Sequence, residues 1–357
     1  MSIEAKPRRT LILGGSQATQ NHLSVLPLPP HIGNPMARLY LGLETSCDET
    51  AAAIVEDGRR VLVSELVSQI SIHQTFGGVV PEVAARRHVE TINEVIASVM
   101  SKAEIAPEQL HAIACTTGPG LIGTLLVGLS AAKSLSWAWA RPLISVDHLL
   151  AHVCANYLDT DLQPPFIALL VSGGHTQIVH FENYTEGRIL GQTLDDAAGE
   201  AFDKVARLIG LGYPGGPAID RLSLEGNAKA FNFPEGSVGG YNFSFSGLKT
   251  AVLRCVEKLT PPLPVADLCA SFQDAVIRVL VRKTVQAQRE TGAPRIVLAG
   301  GVAANRELRA KLTEQADVPV YFPKMDYCTD NAAMVAAAAH FCGELTNLKV
   351  SAYSRQR

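Results

Sequence analysis

Residues 38–66 read RLYLGLETSCDETAAAIVEDGRRVLVSEL, and residues 166–190 read FIALLVSGGHTQIVHFENYTEGRIL. Each stretch is an apolar run, a short polar turn, a second apolar run, a loop and a third run, the pattern of strand, turn, strand, loop, strand. After each one the chain alternates helical and strand patterns. Around PEVAARRHVETINEVIASVM, Val89, Ile92, Ile96 and Val99 fall on one helical face. The strands AIACTT, PLISV, RIVLA and VPVYF follow in turn, separated by helices. The recurrence is a repeated supersecondary unit rather than a short-period array. It predicts two similar α/β lobes, the first over residues 36–145 and the second over 146–329, with a last helix at about 330–345 packing back on the first. Ligands in such sheets sit beyond the carboxyl ends of the strands.

Composition sets the outer limits. The 357 residues, nearly half of them apolar, suffice for one large core or two ordinary ones. A net charge of -3 excludes a protein held to nucleic acid by bulk charge, but allows a local basic patch. Seven cysteines without a C-x-x-C pair give neither a disulfide framework nor a zinc-knuckle pattern, which fits a reducing cytoplasm. The run LIGTLLVGLSAAKSLSWAWA contains Lys133 and several serines, so it reads as a buried helix and no membrane association is expected. Residues 1–35, with one acid, three basic residues and a Pro-rich end, read as a disordered extension or a misplaced start. An organelle transit peptide, mitochondrial or plastid, is the other reading of that acid-poor segment.

Within LISVDHLLAHVCANY, His148 and His152 stand four residues apart and leave the same side of a helix. Val146, Leu149, Leu150, Val153 and Tyr157 form a buried stripe, Ser145 is placed to cap the helix, and the histidines lie opposite the stripe with Asn156. The spacing fits either one metal ion or a solvated face that carries histidine. A zinc protease would need H-E-x-x-H, and the residues between are Leu149, Leu150 and Ala151, so its general base is missing. Two nitrogens also need an oxygen donor from elsewhere; Asp330 opens the last helix, where its local role is an N-cap.

Three glycine turns follow strands: VSGGHT, GPGLIG and AGGVAANR. Ser172, Gly173 and Gly174 end a strand of the repeated unit, and Gly300 and Gly301 precede a helix, so backbone N–H groups there are placed for phosphate or purine. GPGLIG, residues 118–123, formally matches the dinucleotide fingerprint G-x-G-x-x-G, but it is not N-terminal to its lobe and reads as a tight turn before a buried helix. Ser246 and Lys249 match S-x-x-K of serine acyl enzymes without its companion motifs, so a helix cap and a surface lysine are expected. The acidic cluster Glu44, Asp48 and Glu49 lies in a turn, solvated by default, yet able to accept a proton if it faces a nucleotide.

Eight segments taken together, GLETSCDETAAAIV, VVPEVAARRHVE, DHLLAHV, LLVSGGHTQIV, DDAAGEAFDKVARLIGLGYPGGPAID, FSFSGLKTAV, LAGGVAANRELR and YCTDNAAM, closely resemble the TsaD family. These are the bacterial tRNA adenosine threonylcarbamoyltransferases, also known as glycoproteases, and the likeness runs from about Met36 to near Leu345. The resemblance implies an actin-like ATPase fold, with two duplicated lobes around a nucleotide cleft. It implies transfer of the threonylcarbamoyl group from threonylcarbamoyl-AMP to N6 of adenosine 37 in tRNAs that read codons beginning with A. By motif, His148, His152 and Asp330 correspond to metal ligands, with iron or zinc expected. Val171, Ser172, Gly173, Gly174 and His175 correspond to the phosphate and carbamoyl contact, and Asp203, Gly216, Asp220 and Asn305 to the ribose and adenine contacts. Asp48 or Glu49 is the candidate for orienting or deprotonating the amine. TsaB-like and TsaE-like partner proteins are implied, besides tRNA. Arg87 departs from an expected acid or polar residue, and with Arg86 it is a candidate for a local basic surface. A non-catalytic scaffold of the same fold and a metalloprotease are the rival functions; a scaffold has no need of the two histidines and Asp330.

Overall fold

The computed structural model describes residues 37–236 and 238–355, together with the backbone of residues 10–12. Its strands are β1 (Thr10–Ile12), β2 (Leu39–Glu44), β3 (Glu49–Glu56), β4 (Arg60–Ser68), β5 (Leu110–Gly118), β6 (Leu143–Asp147), β7 (Phe166–Val171), β8 (Thr176–Phe181), β9 (Glu186–Gln192), β10 (Ile296–Ala299), β11 (Val320–Tyr321) and β12 (Glu344–Thr346). The helices are α1 (Ile70–Gln74), α2 (Pro81–Ala103), α3 (Ile122–Ala138), α4 (His148–Cys154), α5 (Ala198–Leu208), α6 (Gly215–Leu222), α7 (Ser246–Val256), α8 (Val265–Thr291), α9 (Arg306–Gln315) and α10 (Ala332–Phe341).

The chain divides into two compact units, one ending at Leu162 and resuming at Pro323, the other spanning Gln163–Phe322 and taking in β1. The first unit has a six-stranded sheet ordered β12-β6-β5-β2-β3-β4, and the second one ordered β1-β9-β8-β7-β10-β11. In both, three antiparallel strands in sequence (β2-β3-β4 and β7-β8-β9) are extended by two parallel ones (β5-β6 and β10-β11). The repeat read from the sequence is thus a repeat of topology. Strands β2, β3, β5 and β7 are buried along nearly their whole length, which is why they read as continuous apolar runs rather than alternating ones.

Two expectations are corrected, and a third falls largely outside the described residues. The division falls at Leu162/Gln163 and Phe322/Pro323, not at 145/146 and 329/330. The reason is that the segment after β6 stays with the first sheet: the Arg59 guanidinium donates to the carbonyls of Tyr157 and Leu162, and the Tyr157 ring packs on Phe341, the centroids 4.5 Å apart. Val89 is exposed, because α2 turns Ala84, His88, Ile92, Val95 and Val99 to the sheet and the expected face is off by a fraction of a turn. The expected disordered extension at 1–35 lies outside the described residues, except that the backbone at 10–12 pairs antiparallel with β9. None of the described helices is long and apolar enough to cross a membrane.

Candidate metal centre and substrate-binding turns

β6 runs on to Asp147, and this residue, not Ser145, caps α4: its Oδ1 accepts from the N–H groups of Leu149 at 2.9 Å and Leu150 at 3.1 Å. The four-residue offset then sets the rings of His148 and His152 side by side, with centroids 4.7 Å apart. They lie opposite the apolar stripe, but the expectation that this face is no part of the core fails. His152 is 1% exposed and Asn156 2%, because α4 lies within the unit with α10 packed against it. Nor is Asp330 the cap of the last helix. Asn331 takes that role, accepting from Met334 N at 2.9 Å, and leaves the Asp330 carboxylate directed at the histidines. Its Oδ1 lies 3.5 Å from His148 Nε2 and 3.1 Å from His152 Nε2.

These three residues present ligand atoms within 4.8 Å of one another. A tetrahedral zinc with ligands at about 2.0–2.1 Å sets neighbouring donors roughly 3.3 Å apart, close to the two distances found. The surroundings also call for positive charge. His148 Nδ1 is 3.2 Å from Ser46 Oγ and 3.5 Å from Glu44 Oε2, so a proton on Nδ1 has its acceptors and the Nε2 lone pair faces Asp330 Oδ1. Two lone pairs directed at each other repel unless a proton or a metal cation lies between them. Burial opposes charge on His148, yet the carboxylates of Asp330 and Glu44 outweigh it and hold the imidazole up to about 9. Burial likewise opposes ionisation of Asp330, but the two imidazoles keep it well below the usual carboxylate range. The donor set of two imidazoles and one carboxylate fits zinc or iron.

The acidic segment is no solvated turn. Glu44, Asp48 and Glu49 are all buried. Glu44 accepts from Ser46 N and from the Thr116 hydroxyl. Glu49 accepts from Ser68 Oγ at 3.3 Å, and burial, reinforced by the carboxylates of Asp330 and Asp48, pushes it far above the ordinary carboxylate range. Asp48 Oδ2 is buried without a hydrogen-bond partner. His88, which the periodicity passed over, holds the segment from below: Nε2 donates to the Cys47 carbonyl at 3.0 Å, and Nδ1 lies 2.7 Å from Thr50 Oγ1. The GPGLIG turn also serves this segment, since Leu121 N donates to the Ser46 carbonyl at 2.9 Å and Thr124 Oγ1 to the same oxygen at 3.1 Å. Its N–H is committed to the protein's own loop rather than to a dinucleotide.

In the second unit, Val171 ends β7 and Ser172 N donates to His175 O at 2.8 Å, closing a turn in which Gly173 and Gly174 border open space. Gly300 (φ +90°) abuts this strand end; a Cβ there would lie 2.5 Å from Val171 O, so only glycine fits. Asp203 Oδ1 accepts from Gly215 N at 2.7 Å and thereby also holds the neighbouring Gly216; burial raises its pKa against these bonds. Asp220 pairs with Arg306 Nε at 2.9 Å, and Asn305 caps α9 through Leu308 N while donating to Gln273 Oε1 at 2.7 Å. The structure therefore gathers Val171–His175 with Gly300, Asp203 with Gly216, and Asp220 with Asn305. Gln273 was not legible as part of this group. Ser246 is no nucleophile paired with Lys249: its hydroxyl donates to Asp195 Oδ2 at 2.7 Å.

Two sheets of repeated topology define the actin-like ATPase fold class. Solved structures agree at the level of fold: HypF of T. kodakarensis (TM-score 0.59, 16% identity, 88% of this chain and 48% of that one) and component A of the Acidaminococcus fermentans (R)-2-hydroxyglutaryl-CoA dehydratase (0.53, 17%, 85% and 98%). The sequence model of the family "TsaD: tRNA N6-adenosine threonylcarbamoyltransferase" matches residues 60–337. Proteins of that name from Caldicellulosiruptor saccharolyticus (50% identity, 88% of this chain and 96% of the relative) and Cyanothece sp. (53%, 84% and 90%) are similar along nearly their whole length. The chain belongs to the TsaD family.

Proposed function

We propose that this chain transfers a threonylcarbamoyl group from threonylcarbamoyl-AMP to N6 of adenosine 37 in tRNAs reading codons that begin with A, at a metal held by His148, His152 and Asp330. The observation that carries the reading is the convergence of these three side chains at ligand spacing. A bound zinc or iron supplies positive charge that stabilises the acyl oxygen and the departing phosphate. The chain's own residues do the rest. Within the second unit, the N–H groups of Gly173 and Gly174 remain for a phosphate, those of Ser172 and His175 being used inside the turn, while α6 and the start of α9, with Asp203, Gly216, Asp220 and Asn305, offer the ribose and adenine contacts. N6 is a poor nucleophile because its lone pair is delocalised, so it needs orientation and a proton acceptor. Asp48 is the better acceptor of the two acids. Its Oδ2 is without a partner, whereas Glu49 is bonded to Ser68 and holds its proton. As N6 attacks the carbamoyl carbon, the bond from that carbon to the phosphate oxygen breaks, AMP leaves with the electron pair, and the amine proton passes to Asp48.

Partner proteins of the TsaB and TsaE kind are part of the proposal. A groove of about 590 Å³ between α2 and α3, lined by Ile96, Met100, Ala131, Leu135 and Trp139, supports a protein partner there. Exposed Val89, one turn before Asn93 on the groove's face of α2, extends the apolar surface. Arg86 is exposed on α2 and is the basic side chain we assign to tRNA; Arg87 is already paired with Glu90 at 2.8 Å. Seven free cysteines fit a reducing cytoplasm.

The test is reconstitution: chain, metal, threonylcarbamoyl-AMP, such a tRNA and the two partners, followed by nucleoside mass spectrometry. The modified adenosine together with AMP is expected. No product with metal bound and partners competent beside an active relative would refute the proposal. A scaffold would yield neither compound, and a protease would cleave a glycoprotein in a parallel tube.

A further inference from the structure

The C-terminal segment beyond the family match reaches the metal helix. After β12, which pairs antiparallel with β6, the chain turns back so that Val350 O accepts from Lys133 Nζ at 2.6 Å and Tyr353 N donates to Thr117 O at 2.9 Å. Gly118 (φ +147°) makes room for it, since a Cβ there would lie 2.2 Å from Tyr353 O and 2.8 Å from the Tyr353 ring. Tyr353 is thereby fixed at backbone and ring, and its Oη donates to Asp147 Oδ2 at 2.7 Å. Asp147 uses its other oxygen on Leu149 N and Leu150 N, and the next residue along the chain is His148.

We propose that Tyr353 is a positioning residue for the metal centre, acting through Asp147 on the helix that carries His148 and His152. With both carboxylate oxygens engaged, the cap has one orientation, and the first turn of the seven-residue α4 is set against the end of β5. Without the Tyr353 hydroxyl, Oδ2 loses its donor and the carboxylate can rotate. His148 follows it, because its backbone is the first of the capped turn. Groups that orient metal ligands from outside typically change affinity 10–100-fold, and Tyr353 acts one residue further out, so about tenfold is expected. The family model ends at residue 337, so Tyr353 lies beyond the matched region, while Asp147 and α4 lie within it. The proposal rests on the metal reading above.

The experiment uses the full chain and its Tyr353→Phe variant, which keeps ring and backbone contacts and removes only the hydroxyl. Each metal-free protein is titrated with cobalt(II) against a chelator, following the visible absorption of the bound ion, and the metal-free melting midpoints are recorded. About tenfold weaker cobalt binding in Tyr353→Phe, with an unchanged metal-free midpoint, is expected. Asp147→Asn and the double variant complete a cycle: if Tyr353 acts through Asp147, the double variant binds cobalt no more weakly than Asp147→Asn alone. Equal affinity in parent and Tyr353→Phe overturns the inference while leaving the metal centre standing. So does a lowered metal-free midpoint with unchanged affinity, the signature of mere tail docking. A parent that binds no cobalt overturns the metal centre and this inference with it.

Discussion

Replacing His88 tests whether the acidic segment is held in place by a side chain that touches no substrate. His88 is fully buried, and because a carbonyl can only accept, its Nε2 must carry the proton donated to Cys47 O at 3.0 Å. Nδ1 is then the acceptor for the Thr50 hydroxyl at 2.7 Å. His88→Leu fills most of the volume but leaves the Cys47 carbonyl without its donor; Thr50 retains Thr91 Oγ1 at 2.9 Å. One buried carbonyl unpaired and one hydroxyl weakened amount to about 2–3 kcal/mol. For a unit of this size that lowers the melting midpoint by roughly 5–10 °C. Cys47 adjoins Asp48, and a displacement of about 1 Å at a reacting group can lower a rate on the order of 100-fold, so single-turnover transfer should fall by that order. His88→Gln keeps one donor for Cys47 O and one acceptor for Thr50, and should recover most of both losses.

The pH dependence separates the parent from both variants. Burial depresses His88 below its ordinary value of 6.5, against the opposing pull of the Cys47 carbonyl and the nearby acids. The unfolded chain therefore takes up this proton first, so the His88 contribution to stability is complete above about pH 6.5 and is lost as pH falls through the folded value. Chemical denaturation of parent and His88→Gln between pH 5 and 7.5 should show that increment in the parent alone. A His88→Leu protein with parental midpoint and parental single-turnover rate would refute the reasoning. So would a His88→Gln protein as impaired as His88→Leu.

Removing a metal ligand should empty the site: His152→Ala is expected to retain little zinc or iron by elemental analysis, and, because the imidazole is buried, to melt lower than the parent even without metal. Full occupancy in that variant would remove His152 from the ligand set. The two acids of the segment should behave differently. Asp48→Asn should slow transfer on the order of 100-fold or more with donor binding unchanged by calorimetry, whereas Glu49→Gln, which imitates a carboxyl that already holds its proton, should lose tenfold or less. A larger loss in Glu49→Gln than in Asp48→Asn would reverse the assignment.

The repeated strand pattern was legible because β2, β3, β7 and β8 are buried end to end, and a continuous apolar run between polar turns carries that information locally. Burial of the histidine helix was not. Periodicity reports where one neighbouring surface lies, and α4 has neighbours on more than one side, so the face opposite its stripe is covered as well. The same limit misplaced Val89 on α2. Asp330 and Asn331 both suit an N-cap, and which of them caps α10 depends on the side chain needed elsewhere: Asn331 closes the helix, and Asp330 meets two histidines far away in sequence. Tyr353 gave no local signal, since its hydroxyl meets Asp147 from 206 residues away. The glycine turn at 118–123 makes the limit concrete. A G-x-G-x-x-G pattern says that N–H groups are presented, but not to what. Leu121 N already has an acceptor in Ser46 O, two residues before Asp48, so the turn aims the protein's own acids. At Ser172–His175 the glycines border open space and leave their surface to a ligand. The difference between the two turns lies in which acceptor each reaches, a property of the sheet around it rather than of the motif.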